Sequence, residues 1–195
     1  MQNDTTKLKS NTGFGQKFPE LPGQSMGKRK RKKDVSEYKK SLQEKQALKK
    51  LYGLSEKQVK RYVKETLEMV KAKNLTDELI KRLERRLDNV VFRLGFAKSL
   101  PQSRQLVSHA YFLVNGKPVN IPSFEVKNGD TIAIKESKKK KLIFNNLAAT
   151  LNKLQAPDWL GLDKEKLEGK IMRYPSLAEV NPPVEISLVF EFYSR

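Results

Sequence analysis

The sequence predicts an α+β fold in two compact units behind a basic arm, because hydrophobic periodicity changes character along the 195 residues. Between Ser36 and Gly95 apolar residues recur at three- and four-residue intervals, the spacing of amphipathic helices. After Gly95 a short capped helix leads into an Asn-Gly turn and alternating apolar residues, the pattern of a small, mainly antiparallel sheet. Residues 1–27 lack the aliphatic bulk to bury a core and read as a flexible arm.

The arm leads into Lys28, Arg29, Lys30, Arg31, Lys32 and Lys33, six adjacent cations that repel one another until phosphates neutralise them. From Ser36, Tyr38, Leu42, Leu48, Leu51 and Tyr52 share one helix face, and Gly53 is a natural stop. Ser55 and Gln58 form a capping box for a second helix with Val59, Tyr62, Val63, Leu67 and Val70 on its stripe, ending near Lys73-Asn74. A third helix, capped by Thr76 with Asp77 and Glu78 in its first turn, carries Leu79, Ile80, Leu83, Leu87, Val91 and Leu94 up to Gly95.

Ser99 and Gln102 then suggest another capping box, with Pro101 in the first turn of a helix reaching His109. Tyr111 to Val114 and Lys117 to Asn120 flank Asn115-Gly116 as a hairpin, since Asn-Gly supplies the positive φ that both turn positions need. Asn128-Gly129-Asp130 is a second turn before the strand Thr131 to Lys135, whose Ile132 and Ile134 alternate inward. Lys138 to Lys141 are basic, and Ile143, Leu147, Leu151 and Leu154 form a helix stripe before Pro157. Trp159 to Met172 reads as short extended pieces. The alternation of Val184, Ile186, Leu188, Phe190 and Phe192 favours a strand, while Val189 fits a helix packed on two sides.

Charge narrows the function. With 40 Lys and Arg against 22 Asp and Glu the formal net charge is +18, an excess that calls for a polyanion. No apolar run approaches the roughly 20 residues of a membrane span, no secretory signal or basic amphipathic membrane helix is present, and a soluble cytosolic protein is expected. The absence of cysteine rules out disulfides, thiolate metal sites and cysteine nucleophiles, and the single His109 gives a zinc or Ser-His-Asp site little to build with. No cofactor, metal or catalysis is expected.

Cations concentrate at Lys28 to Lys33, at Lys81-Arg82-Arg85-Arg86 beside Arg93, and at Lys138 to Lys141. Such residues supply affinity for phosphate without sequence preference. Recognition of folded RNA then rests on shape and 2′-hydroxyl contacts, for which Gln102, Arg104, Gln105, Ser108 and His109 on the short helix, with Asn115 and Lys117 at the hairpin tip, are suited. The same residues would also serve as the solvent side of an amphipathic helix, and His109 as a local helix-end contact.

Arg86-Leu87-Asp88, Gly95, Ser99, Gln105-Leu106-Val107, Val114-Asn115-Gly116, Val119, Pro122, Val126 and Gly129-Asp130 resemble the RNA-binding motif shared by bacterial ribosomal protein S-four, certain pseudouridine synthases and tyrosyl-tRNA synthetases. The flanks, Leu83 to Val91, Arg93 to Phe96, Pro22-Gly23-Gln24, Leu51-Tyr52-Gly53, Lys166 to Gly169 and Glu191 to Arg195, resemble the S-four family of small-subunit ribosomal proteins from about Leu21 to the end. The resemblance implies a helical domain, 36–85 plus 175–195, with an RNA-binding domain, 86–174, inserted in it, and a basic arm at 1–35. It also implies an early binder of the 5′ domain of small-subunit rRNA that nucleates assembly, touches ribosomal protein S-five at an interface tied to decoding accuracy, and lies by its arm near ribosomal protein S-three and the mRNA entry. Arg82, Arg85, Arg86, Ser99, Gln102, Arg104, Gln105, Ser108, His109, Asn115 and Lys117 are its expected rRNA contacts, in a bacterial cytoplasm or an organelle. The chain departs from relatives that carry zinc-binding cysteines in a longer extension, has Ser25-Met26 where a His is usual and Ala110 where a Gly is common, and is shorter around Val184 to Ser187. An enzyme built on the same module would need a separate catalytic domain, for which the remaining segments are too short. A stand-alone RNA chaperone would not need the ribosomal flanks, and a DNA-binding factor would prefer DNA to folded RNA.

Overall fold

The computed structural model describes residues 36–69 and 74–194. Mixed helices and one antiparallel sheet make up the fold, which is the α+β class expected. The basic run Lys28 to Lys33 lies outside the described residues, as do Val70 and Lys73.

Three helices come first: α1 (Glu37–Leu51), α2 (Glu56–Met69) and α3 (Leu75–Glu84). Ser36 caps α1, its Oγ accepting from Lys39 N at 3.4 Å, and Gly53 at φ +58° ends it. The capping box of α2 is present: Gln58 N donates to Ser55 Oγ at 3.3 Å and Ser55 N donates to Gln58 Oε1 at 2.9 Å. Leu67 is exposed rather than on the buried stripe, where Thr66 follows Val63 and donates its hydroxyl to Tyr62 O at 2.7 Å. Thr76 is not a cap. Asn74 occupies that position with no side-chain hydrogen bond, and Thr76 lies inside the first turn of α3.

The single helix expected from Thr76 to Gly95 is two. Between α3 and α4 (Leu87–Arg93), Arg86 is extended, with φ −63° and ψ 135°, and pairs with Glu125 as an antiparallel bridge. Leu87 N donates to Phe124 O at 2.8 Å and Val126 N to Arg85 O at 2.9 Å, so a distant segment draws these backbone groups out of the helix ladder.

Helix α5 (Leu100–Ser108) packs on α4, and both cover a sheet of β1 (Phe112–Val114), β2 (Lys117–Val119), β3 (Thr131–Ile134), β4 (Leu160–Asp163) and β5 (Glu168–Ile171). The strand order is β2-β1-β3-β5-β4, with every pair antiparallel. The hairpin turns at Asn115 and Gly116, with φ +50° and +77°. At Gly169 a Cβ would collide with the Leu94 side chain, so β5 runs directly against the end of α4. Between β3 and β4 lie the short α6 (Glu136–Lys139), a 3-10 turn at Leu142–Phe144 and α7 (Leu147–Lys153). Phe144, not Ile143, joins Leu147, Leu151 and Leu154 in the core, because the 3-10 turn puts Ile143 one step off the stripe.

The C-terminal segment is helical: α8 (Leu177–Val180) and α9 (Ile186–Ser194). Ile186, Val189 and Phe190 face inward, and Leu188 and Phe192 are half-buried, so the alternating run is a helix packed on more than one side. Lys45 fixes it to α1. Its buried ammonium sits 2.8 Å from Glu56 Oε1 and 4.2 Å above the Phe192 ring, while Tyr193 donates its hydroxyl to the same Oε1 at 2.8 Å.

Two hydrophobic cores result. One joins Leu48, Tyr52, Tyr62, Leu79 and Leu83 to Val180, Ile186, Val189 and Phe190, so it draws on both ends of the described chain. The other gathers Leu87, Val90, Val91, Leu94, Phe96 and Ala97 with Leu106, Phe112, Ile132, Leu151, Trp159 and Ile171.

Candidate RNA interface

Where the two cores meet, the structure buries carboxylates rather than apolar side chains. Glu84, fully buried, accepts from Tyr52 Oη at 2.8 Å, from Asn89 Nδ2 at 2.5 Å, and from Arg93 Nη2 at 2.8 Å and Nε at 3.1 Å. Burial first, then the Glu84 charge, pushes the Tyr52 hydroxyl well above the ordinary phenol range, so it stays a donor. Asp88, 1% exposed, accepts from Arg86 Nε at 3.0 Å and Nη2 at 2.8 Å, and from Arg104 Nε at 3.0 Å and Nη2 at 2.9 Å. Arg86 also donates Nη1 to Tyr62 Oη at 2.7 Å. Arg104 reaches across to the carbonyls of Gly53, at 2.5 Å, and Tyr52, at 3.2 Å. Two carboxylates and three guanidinium groups therefore tie α4 and α5 to α1, α2 and α3, with bidentate geometry that makes each bond directional.

This network changes the expected basic patch. Lys81 lies 2.7 Å from Asp77, Arg82 lies 2.5 Å from Glu65 and 3.3 Å from Glu125, and Arg85 donates Nε to Val126 O at 3.0 Å while its guanidinium covers the Tyr174 ring. Arg86 and Arg93 are inside, on Asp88 and Glu84. Arg86, expected to contact rRNA, is 1% exposed here, with its guanidinium on Asp88 and the Tyr62 hydroxyl. Arg82 and Arg85 are mostly enclosed, with carboxylates or carbonyls on them, and Arg104 is a strut between the units. Asn115 is likewise committed: Nδ2 donates to Asp130 Oδ1 at 2.8 Å and Oδ1 accepts from Thr131 N at 2.9 Å, fixing the hairpin to the next turn.

The exposed side of the module is made by the rest. Ser99, Gln105, Ser108, His109 and Lys117 are exposed, and Gln102 is half-buried. Ser103 anchors α5 from beneath by donating its hydroxyl to Asp88 O at 2.6 Å, which leaves the opposite face to solvent. Ser99 accepts from Gln102 N at 3.4 Å, but Gln102 Oε1 accepts from Lys98 N at 2.6 Å instead of returning to Ser99, so only half of the expected capping box is made. Lys98 is exposed next to that cap and escaped the reading of the sequence, where a single cation ahead of a cap gives no signal. What the face offers is hydroxyls, amides, one imidazole and scattered cations, a set suited to phosphate and 2′-hydroxyl groups. Among the described residues no cluster of His, Asp and Glu could hold a metal ion.

Residues 3–84 match the family described as Ribosomal protein S4/S9 N-terminal domain, and residues 85–132 match the S4 domain. A small ribosomal subunit protein uS4 from Persephonella marina is 46% identical over 178 residues, covering 91% of this chain and 85% of its own length. The chain belongs to the uS4 family. Another member, from a Thermoanaerobacter species, is 48% identical over 166 residues, or 84% of this chain and 78% of the relative. A small ribosomal subunit protein uS4A from Symbiobacterium thermophilum is 43% identical over 176 residues, 89% and 81% of the two lengths. The boundary between the two matched families, at 84 and 85, falls where α3 gives way to the extended Arg86, the residue about which the two cores of this uS4 family member are joined.

Proposed function

We infer that the chain is a structural constituent of the small ribosomal subunit and a primary binder of its rRNA. The observation that carries this is membership of the uS4 family over nine-tenths of the chain, 91% in one relative. The rigid polar face of α5 and the hairpin supports it. The chain binds the 5′ domain of the rRNA and holds a junction of RNA helices between a helical domain, 36–85 plus 175–195, and an inserted domain, 86–174. Bound there, it nucleates assembly and turns over no substrate. Lys28 to Lys33 reach the mRNA entry beside ribosomal protein S-three, and contact with ribosomal protein S-five links the chain to decoding accuracy. Its place is the ribosome of a bacterial cytoplasm or an organelle, without cofactor or metal.

The test is equilibrium binding to a 5′-domain transcript against an unrelated folded RNA of equal length across a salt titration. A preference of about tenfold, roughly 1.4 kcal/mol, with affinity falling steeply in salt is the expected result. Equal binding to both RNAs would leave a general RNA binder only.

A further inference from the structure

The basic run at Lys138 to Lys141 leads into two apolar residues that the core does not use: Leu142 is 86% exposed and Ile143 is 42% exposed. They form one wall of a cleft whose other side is the Phe96 to Lys98 turn, with Gln102 and Asn146 between. The cleft holds about 120 Å³, well under the 300 Å³ and more of sites for drug-sized ligands. That is the scale of one ring system, not of a helix. Gln102 is oriented, because its Oε1 accepts from Lys98 N at 2.6 Å, and this leaves the Nε2 amide group as the end free to donate. Asn146 makes no capping bond with its side chain at the start of α7, so a second carboxamide is at hand. Lys98 lines the cleft and is exposed, and the exposed Lys140 and Lys141 directly precede Leu142 in the chain, while Lys138 lies over the Tyr111 ring and Lys139 on Glu136.

Exposed Leu142 and Ile143, two carboxamides that can meet a base edge, and Lys98 in the lining match one chemistry: an unstacked nucleobase entering with its phosphates outside. Leu and Ile serve elsewhere as wedges between base steps, and an almost fully exposed Leu in a basic loop costs solvation that burial against a base would recover. A protein partner would have to cover Lys98 and the exposed Lys140-Lys141 that run into Leu142, against the depletion of Lys in protein interfaces. We propose that the cleft between Leu142-Ile143 and the Phe96 to Lys98 turn receives one splayed, unpaired nucleotide of a structured RNA.

The proposal rests on the rRNA reading above, and the experiment separates the two. The full chain and the double variant L142S/I143S are titrated against the 5′-domain transcript and the control RNA over a salt series, with base-edge chemical probing of the complexes. Both substituted side chains are exposed, and an unchanged urea midpoint confirms an intact fold. Affinity of the variant falls about tenfold with the salt slope unchanged, and one unpaired base that the parent chain protects becomes reactive. A variant that binds and protects as the parent does, or one that loses affinity while every protection persists, overturns the cleft and leaves the rRNA reading standing. A parent chain that does not prefer the 5′-domain transcript overturns both.

Discussion

Glu84 shows what a single residue carries in this molecule: a fully buried carboxylate ion-paired with Arg93. Glu84→Gln keeps an acceptor but removes the charge facing that guanidinium and should lower stability by about 3–5 kcal/mol in urea denaturation, the range for breaking a buried pair from one side. Asp77 sets a pH dependence. Burial acts to raise its carboxyl, but the Lys81 ammonium and the N–H of Leu177 outweigh it and hold the group below the usual range. Its contribution is therefore complete above the unfolded value, near about pH 4, and disappears as pH falls through the lower folded value. Asp77→Asn should be less stable than the parent at neutral pH and should show a flatter acid limb in melting temperature against pH. At this scale the sequence was half legible. Buried Ile132, Ile134, Leu79 and Leu83 followed from spacing, whereas Arg86 looked like any other cation. A guanidinium aimed at phosphate and one aimed at a buried carboxylate differ only in tertiary contacts, although Asp88, two positions on, was a visible partner.

Among the elements, α5 depends on its cap. Ser99→Ala removes the acceptor for Gln102 N and should cost about 1 kcal/mol of stability, read from chemical denaturation, without altering the core beneath. Helix α9 depends on side chains from the far end of the described sequence, since it packs on α1. Ile186→Ala should cost about 2–5 kcal/mol by leaving a cavity in the first core, measured by the urea midpoint. Helix starts with a side chain and a glycine in register, such as Ser55-Gln58 and Ser36 with Gly53, were legible because their physics is local. The break at Arg86 was not, because neither proline nor glycine marks it and its cause is the backbone of Phe124 to Val126 nearly forty residues away. Helix α9 was ambiguous for another reason: a segment buried on several sides loses the one-faced stripe that separates period 3.6 from period 2.

Across the whole molecule, the arginine and carboxylate network makes two cores behave as one. Trp159, the only tryptophan, reports on the core around β1 to β5, while far-UV ellipticity reports on the helices of both. The two urea transitions should coincide in the parent chain and separate in Arg104→Met, where the strut from Asp88 to Gly53 and Tyr52 is lost. The first core also has a history in time. Its α3 side waits for a partner synthesised a hundred positions later, the span from Asp77 to Leu177 that one hydrogen bond closes. At about 5–20 residues per second of translation, that apolar face stays uncovered for roughly 5–20 s after it is made. The second core, whose residues are contiguous in the chain, can finish first, and helix α9 then arrives onto a partner already held in place.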